Sequence, residues 1–320
     1  MNPIRRSLLA AGSAAGLALT PLGASTAFAR APLAGTQGVS FHRMKLGDFE
    51  VTSLLDGYID IPPILLQGDQ ALVKELLANA GLGGSPLRLP VNAFLVNTGE
   101  KLVLIDAGGA KMLGLTAGRL PQALAQAGID PGQIDEVYIT HMHGDHLHGT
   151  VTPEGARMFP NAVLRIGKPD LDYWANPEVE AKAPENEKVR FVAAKRAVAA
   201  YGDRIVPFTL GDELVPGIRS VDAAGHTPGH SCFMVGSGNA RLLLLGDAMH
   251  VAPVQFPRPE ITIRFDWSQP QAQAVRRKLF NMAAKENILV GAVHVQFPGI
   301  GRLRAVGEGF AFDPLPWQLF

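Results

Sequence analysis

The sequence holds a single cysteine, Cys232, in 320 residues. No disulfide can form within the chain, so its stability has to come from core burial and from any bound metal. It also lacks an excess of charge of either sign, because 29 basic residues balance 29 acidic ones. A balanced chain projects no broad positive field, which argues against nucleic acid or an anionic membrane surface as a partner. The strongest apolar run, Leu8 to Leu22, is too short and too rich in small residues for a good membrane span. Low-complexity linkers and short repeats are missing as well. With 47% hydrophobic and 18% charged residues, the chain reads as an ordinary globular protein with a sizeable core.

The apolar run follows Arg5 and Arg6 and precedes Ala27-Phe28-Ala29. A basic start, an apolar middle and small residues at a cleavage point make an export signal. Paired arginines before Ser7-Leu8-Leu9 resemble the twin-arginine type, with a Sec signal as the alternative. Residues 1–29 are therefore expected to be a removed signal peptide. Residues 30–320 are expected to form one exported domain, periplasmic or secreted and free of the membrane after cleavage.

Within that domain, strand-like segments fall at Phe49 to Leu55, Asn92 to Val96 and Lys101 to Ile105, the last two joined by the turn Asn97-Thr98-Gly99-Glu100. A helix is expected from Arg119 to Ala127, then the strand Glu136 to Thr140. Further strands are expected at Ala162 to Ile166, Arg204 to Phe208, Cys232 to Val235, Arg241 to Leu245 and, last, Ile288 to Val293. Helices are expected from Asp170 to Trp174, Glu185 to Ala200 and Gln269 to Ala284, while Leu66 to Leu87 reads as a poorly patterned loop over the site. Hairpins mixed with helical crossovers in both halves imply an α/β fold, two mixed sheets flanked by helices in an αββα sandwich. Cys232 heads an apolar strand and is expected to be buried rather than nucleophilic.

The residues that carry chemistry are concentrated after the Glu136 to Thr140 strand. His141-Met142-His143-Gly144-Asp145-His146 puts three imidazoles and a carboxylate into six positions, and nine histidines scattered over 320 residues rarely cluster so tightly. Imidazole and carboxylate suit borderline divalent metals, zinc first, with manganese, cobalt or iron as alternatives. Four ligands this close cannot all serve one tetrahedral ion unless the loop curls; two adjacent ions relieve that difficulty.

His-x-His-x-Asp-His resembles the signature of the metallo-β-lactamase superfamily, and the rest of that pattern follows in order. His226 lies in Gly225-His226-Thr227-Pro228-Gly229-His230, Asp247 in Leu245-Gly246-Asp247, and His294 ends the expected last strand. The resemblance implies that His141, His143 and His226 hold one ion, Asp145, His146 and His294 the other, and that Asp247 bridges them. Asp106 matches an early aspartate that orients the metal loop. Seven ligands leave open positions between two ions, where water loses a proton near neutral pH and becomes the nucleophile. Asp145 is then a candidate proton shuttle to the leaving group. His143 stands where redox branches of the superfamily usually carry glutamate, which favours hydrolysis.

Within the superfamily, Met44 to Thr52, Tyr138 to His143, Phe159 to Val163 and Phe297 to Gly301 resemble the exported methyl parathion hydrolases, organophosphate triesterases close to aryl lactonases. Gly144 and Leu147-His148 depart from their pattern, where proline and a smaller, histidine-free continuation are usual. The resemblance implies a hydrolase of aryl phosphotriesters, lactones or aryl esters, with a homodimer expected; a β-lactamase or acyl-homoserine lactonase is the alternative, and a non-catalytic metal-binding protein a third. Leu66, Trp174, Phe191, His250, Ile263 and Phe265 are expected around the substrate, with Ile263 and Phe265 sharing a side if their segment is extended. Such a pocket would favour flat lactones over tetrahedral triesters. His148 reads either as a solvated loop histidine or as a partner of the ligand set, and His230 as a brace for the turn around His226.

Overall fold

The computed structural model describes residues 33–84 and 86–317; the expected signal peptide lies outside them. The chain divides at Gly38, and the second unit, Val39–Phe320, carries every element discussed below. Its first half contains strands β1 (Phe41–Leu46), β2 (Phe49–Ile61) and β3 (Leu66–Gln67), helix α1 (Gln70–Asn79), strands β4 (Leu87–Asn97) and β5 (Leu102–Ile105), helix α2 (Leu120–Gln126) and strand β6 (Glu136–Ile139). The short helix α3 (Gly144–Leu147), strand β7 (Val163–Gly167), helices α4 (Lys168–Trp174), α5 (Pro177–Lys182) and α6 (Phe191–Tyr201), and strand β8 (Ile205–Phe208) complete it. The second half contains β9 (Glu213–Val215), β10 (Ile218–Asp222), β11 (Ser231–Ser237), β12 (Ala240–Leu244), α7 (Ala252–Gln255), β13 (Thr262–Ile263), α8 (Gln269–Lys285), β14 (Leu289–Gly291), β15 (Ile300–Val306) and β16 (Gly309–Pro314).

Two seven-stranded mixed sheets form among the described residues, in the orders β1-β2-β4-β5-β6-β7-β8 and β16-β15-β14-β12-β11-β10-β9. Parallel pairing is confined to β5 through β8 in the first sheet and to β12 with β14 in the second. Strands covered on both faces read as unbroken apolar runs, and β6 is buried at all four residues. Between the sheets lies a core containing Val51, Phe94, Val103, Ile105, Phe233, Val235, Leu242 and Leu244. A second cluster packs α2 and α6 onto the outside of the first sheet. A third packs α8 onto the second sheet, through Ala272, Arg276, Leu279, Phe280 and Ala283 at helical spacing. The sandwich expected from the sequence is the fold observed.

Three segments differ from expectation. Leu66 to Leu87 is not an open loop, because it contains β3 and α1. Asp69 caps that helix by accepting the N–H groups of Ala71 and Leu72 at 2.9 and 3.2 Å, but only Val73 and Leu77 are buried, too narrow a stripe to read as periodic. The expected helix from Glu185 to Ala200 is broken into a 3-10 stretch, Glu185–Arg190, and α6. Its ion pairs Glu185–Lys188 and Glu187–Arg190, both 2.7 Å, are three residues apart and match the tighter turn. Finally, β14 stops at Gly291 and is not the last strand. A hairpin turning at Gly307-Glu308 follows it, with Val306 opposite Gly309.

One buried carboxylate ties this frame to the site. β2 changes register between Leu55 and Gly57, and the bulged Asp56 between them points its side chain into the connection after β5. There it accepts the N–H groups of Gly109, Gly118 and Leu120 at 3.0, 3.1 and 2.8 Å. Asp56→Ala leaves three donors, two of them buried and one half-buried, without an acceptor and should lower stability by about 3 kcal/mol. Denaturant melts check this, and an unchanged midpoint would show that the connection holds its shape unaided.

Candidate metal centre and substrate cavity

The expected ligands all sit where strands end. His141 follows β6, and His143 is the residue before α3, with extended backbone. Asp145 and His146 lie in the first turns of that helix. His226 occupies the β10–β11 connection, Asp247 follows β12 and His294 follows β14. The two sheets thus bring seven side chains to one edge of the sandwich. They form two groups, His141, His143, His226 and Asp247, and Asp145, His146, Asp247 and His294, with the ligand atoms of each group within 4.8 Å of one another.

Asp247 belongs to both groups and divides its oxygens between them. Oδ2 lies 3.6 Å from His141 Nε2 and 3.3 Å from His226 Nε2, and Oδ1 lies 3.2 Å from His146 Nε2 and 3.3 Å from His294 Nε2. Asp145 Oδ2 closes the second group at 3.5 Å from His146 and 3.3 Å from His294. His143 Nδ1 lies 3.0 Å from His226 Nε2. His141 Nε2, His146 Nε2 and Asp247 Oδ1 are buried with no hydrogen-bond partner, which is costly for polar atoms unless a cation takes the place of a partner. The donor set therefore fits a pair of divalent cations.

On most of these rings the opposite nitrogen is held. His146 Nδ1 meets Asp106 Oδ2 at 2.8 Å, and Asp106 also accepts the Thr140 N–H at 2.8 Å, the orienting position expected for it. His226 Nδ1 meets Asp266 Oδ1 at 2.8 Å, and His294 Nδ1 donates to the Pro90 carbonyl at 2.8 Å. Thr140 Oγ1 stands 3.1 Å from His141 Nδ1. Asp266 was not legible in the sequence, because its segment carries no metal motif. It is fixed in turn by the Ile263 N–H at 3.1 Å and by the fully buried Arg276 at 3.6 Å.

His230, expected to brace the turn around His226, ties that connection to the backbone of Asp247. Its Nδ1 donates to the Ala223 carbonyl and its Nε2 accepts the Asp247 N–H, each at 3.0 Å. Burial, reinforced by the neighbouring His226, pushes its pKa down to about 3, so the ring stays neutral and can accept. Gly246 permits this approach: its φ is +50°, and a Cβ there would lie 2.6 Å from His230 Nε2 and 3.0 Å from Thr140 Cβ. Burial of Asp247 opposes its ionisation, but the imidazoles around it, led by His146 and His294, hold it well below the usual carboxylate range. Burial also opposes charge on His226 and His294, yet the Asp247, Asp266 and Asp145 carboxylates outweigh it and raise them to about 9 and about 10.

A cavity of about 340 Å³ opens directly onto the cluster, lined by His143, Asp145, Asp247 and His294 at its floor. Of the six residues expected around the substrate, His250 and Phe265 line it, their rings 6.4 Å apart. The other four do not. Leu66 and Ile263 pair across β3 and β13 and are fully buried in a separate cluster with Val73 and Leu77. The segment turns at Arg264-Phe265 directly after the two extended residues, with Asp266 N–H closing onto the Ile263 carbonyl at 3.0 Å, so the alternation expected of Ile263 and Phe265 does not hold, although Phe265 packs at the edge of the same cluster. Trp174 and Phe191 lie behind the floor, Trp174 packing edge-on against His143 at 5.3 Å and Phe191 against Trp174 at 5.0 Å. His148 is buried on the cavity wall rather than solvated.

The walls missed by sequence reasoning are Ile59 and Leu89 from the strand ends, Met112 and Leu113 from a 3-10 turn, and Val189, Arg190 and Val192 beside α6. Met112 and Val189 are 53% and 68% exposed; large apolar residues left open on turns are the signal that could have found them.

The chain belongs to the metallo-beta-lactamase superfamily, whose profile matches residues 86–286. Among solved structures it is similar to the hydrolase AbOPH of the beta lactamase superfamily, with 32% identity and a TM-score of 0.84 over 88% of this chain and 100% of that one. It is also similar to AidC, a dizinc quorum-quenching lactonase solved with the product N-hexanoyl-L-homoserine, with 28% identity and a TM-score of 0.81 over 88% and 99%. A curated relative, the atrochrysone carboxyl ACP thioesterase AgnL7 of Paecilomyces divaricatus, is 28% identical over 192 residues, 58% of this chain and 48% of that protein. The chain spans about half the length of the curated relatives it matches first. The protein therefore has the metallo-β-lactamase fold, with His/Asp clusters able to bind metal.

Two outcomes follow from the centre's geometry. Asp266→Asn should weaken metal binding roughly 10- to 100-fold, because an orienting partner of a ligand is lost while the fold is kept; metal titration against a chelator measures it, and unchanged affinity would remove Asp266 from the centre. In the metal-free protein at neutral pH His226 and His294 hold protons, since their raised values lie above 7. Those protons must leave before the rings can bind a cation, so metal uptake should release protons and tighten as pH rises through about 9 and about 10. Calorimetry in buffers of different ionisation enthalpy reads the release directly, and a zero proton count would contradict the assignment of these rings as ligands.

Proposed function

We propose that the protein is a binuclear, zinc-dependent hydrolase that opens lactones and cleaves aryl esters, with organophosphate triesters as slower substrates. The observation that carries this reading is the division of the Asp247 carboxylate, one oxygen to each ligand group, beneath an open cavity. His141, His143 and His226 would hold one ion and Asp145, His146 and His294 the other. When bound, such a pair supplies acidified water and polarises the scissile carbonyl or phosphoryl oxygen. Support comes from the likeness to AidC, a dizinc lactonase, along nearly its whole length.

The remaining work falls to the chain's own side chains. Asp145, at the cavity floor and held ionised by His146 and His294 against the opposing effect of burial, carries a proton to the leaving oxygen. Met112, Leu113, Val189, Val192 and Phe265 seat the hydrocarbon part of the substrate and exclude water. His250 sits at the floor, its Nε2 3.1 Å from Asp247 Oδ2, and with the nearby Phe265 it narrows the space above the centre, which suits a planar ring better than a phosphorus centre with three substituents. Residues 1–29 act as an export signal in this reading, placing the enzyme outside the cytoplasm.

A turnover panel on metal-replete protein tests the proposal, using dihydrocoumarin, an acyl-homoserine lactone, a paraoxon-type triester, an acyl thioester and nitrocefin. Lactone turnover should exceed triester turnover, and nitrocefin should be left intact. Asp247→Ala should abolish all of it and bring metal content below two ions per chain, a loss of at least about 1,000-fold in rate for a group shared by the whole centre. Full activity of Asp247→Ala with two metals retained would overturn the binuclear reading.

A further inference from the structure

His148 stands outside both ligand groups, yet it is placed in the cavity by two independent constraints. It lies three residues after Asp145, so the two side chains are neighbours on the same helical face. Its ring also packs edge-on against Gly144, where a Cβ would lie 2.8 Å from His148 Cδ2 and 3.0 Å from Nε2. Glycine at 144 is what leaves room for an imidazole at 148. Both residues line the cavity, next to Met112 and Leu113 on the wall and one step above the Asp145 floor.

The two ring nitrogens have different surroundings. Nδ1 is sealed from solvent and has no hydrogen-bond partner. A proton there would leave a buried donor with nothing to donate to, which proteins tolerate less well than a bare acceptor. The proton therefore belongs on Nε2, at the edge of the ring beside Gly144 and the cavity. His148 thus presents an N–H to a space whose walls are mostly apolar, with Arg190 and His250 as the other polar side chains on them, and whose floor takes the scissile carbonyl.

We infer that His148 is a specificity-determining residue that donates a hydrogen bond from Nε2 to a second acceptor oxygen on the substrate, beside the scissile carbonyl. The chemical class this fits is a lactone bearing an exocyclic acylamino group: the ring carbonyl goes to the floor, the amide oxygen to His148, and the alkyl chain to Met112, Leu113, Val189 and Val192. The inference rests on the hydrolase reading above and adds to it a residue that selects one class of lactone.

The experiment compares two γ-butyrolactones, one with an α-acylamino chain and one with an α-alkyl chain of equal length, on metal-replete wild type and variants. The measured quantity is the ratio of their kcat/KM values. In His148→Leu, which removes the donor, the ratio should fall at least about tenfold, the effect of one ordinary hydrogen bond or more, chiefly through KM. His148→Gln places an amide N–H where Nε2 was and should restore the ratio to within about threefold of wild type. Gly144→Ala keeps His148 but presses on its ring edge, and should lower the ratio in the same direction; it reads the proposal even where His148→Leu does not fold. Equal effects on both lactones in all three variants would make the ring merely structural and overturn the inference alone. Absence of wild-type turnover on either lactone would overturn the lactonase reading, and this inference with it.

Discussion

The centre depends on a single buried carboxylate shared by two sets of imidazoles. A carboxylate this deep is stable only when positive charge surrounds it. Asp247 meets that requirement through rings contributed by both sheets. Its backbone is fixed as firmly as its side chain, by the bond to His230 and by a glycine whose left-handed conformation brings the chain close to Thr140. Neither sheet could assemble this centre alone. The inter-sheet core of Phe94, Val103, Phe233 and Leu242 is what brings the halves of the ligand set within a few ångströms of each other.

The arrangement also explains where rigidity is placed. Ligand loops follow β6 and β12, strands with a parallel neighbour and apolar cover. Behind the ligands, Asp106, Asp266 and the Pro90 carbonyl each fix one ring nitrogen. The direction of every held ring is therefore decided before a cation arrives, and little reorganisation is left for binding to drive.

The sequence made the metal centre legible because its chemistry is local: four ligands fall within six residues, and the others follow apolar strands that are readable by themselves. His230 was legible because it lies beside the His226 motif, whereas Asp106 was legible only through the resemblance to the superfamily's pattern. Asp56, Asp266 and Arg276 were not, since their roles arise only when segments distant in sequence meet. The C-terminal hairpin was missed because its first strand, β15, carries arginines at exposed positions, and α1 because two buried residues make no periodic stripe. The pocket failed most. Ile263 was placed there on the assumption of an extended strand, and the chain turns directly after it at Arg264-Phe265; Trp174 was placed there by the resemblance to the triesterases, and it supports His143 from behind. Apart from Ile59, Leu89 and Val192, the apolar cavity walls come from turns and connections, and a turn carries no periodicity that would reveal which way its side chains face.

Those walls have a further consequence. Met112, Leu113, Val189 and Arg190 come from 3-10 turns, and Phe265 from a segment just past a two-residue strand. None of these belongs to either large sheet or to the bonds that orient the ligand rings. The molecule is thus divided into a stiff frame that performs the chemistry and an adjustable fitting that admits the molecule on which it is performed. Exchanging a side chain in the fitting leaves the frame's bonds intact, so the diet of such an enzyme can drift by single steps while its catalytic apparatus stays still.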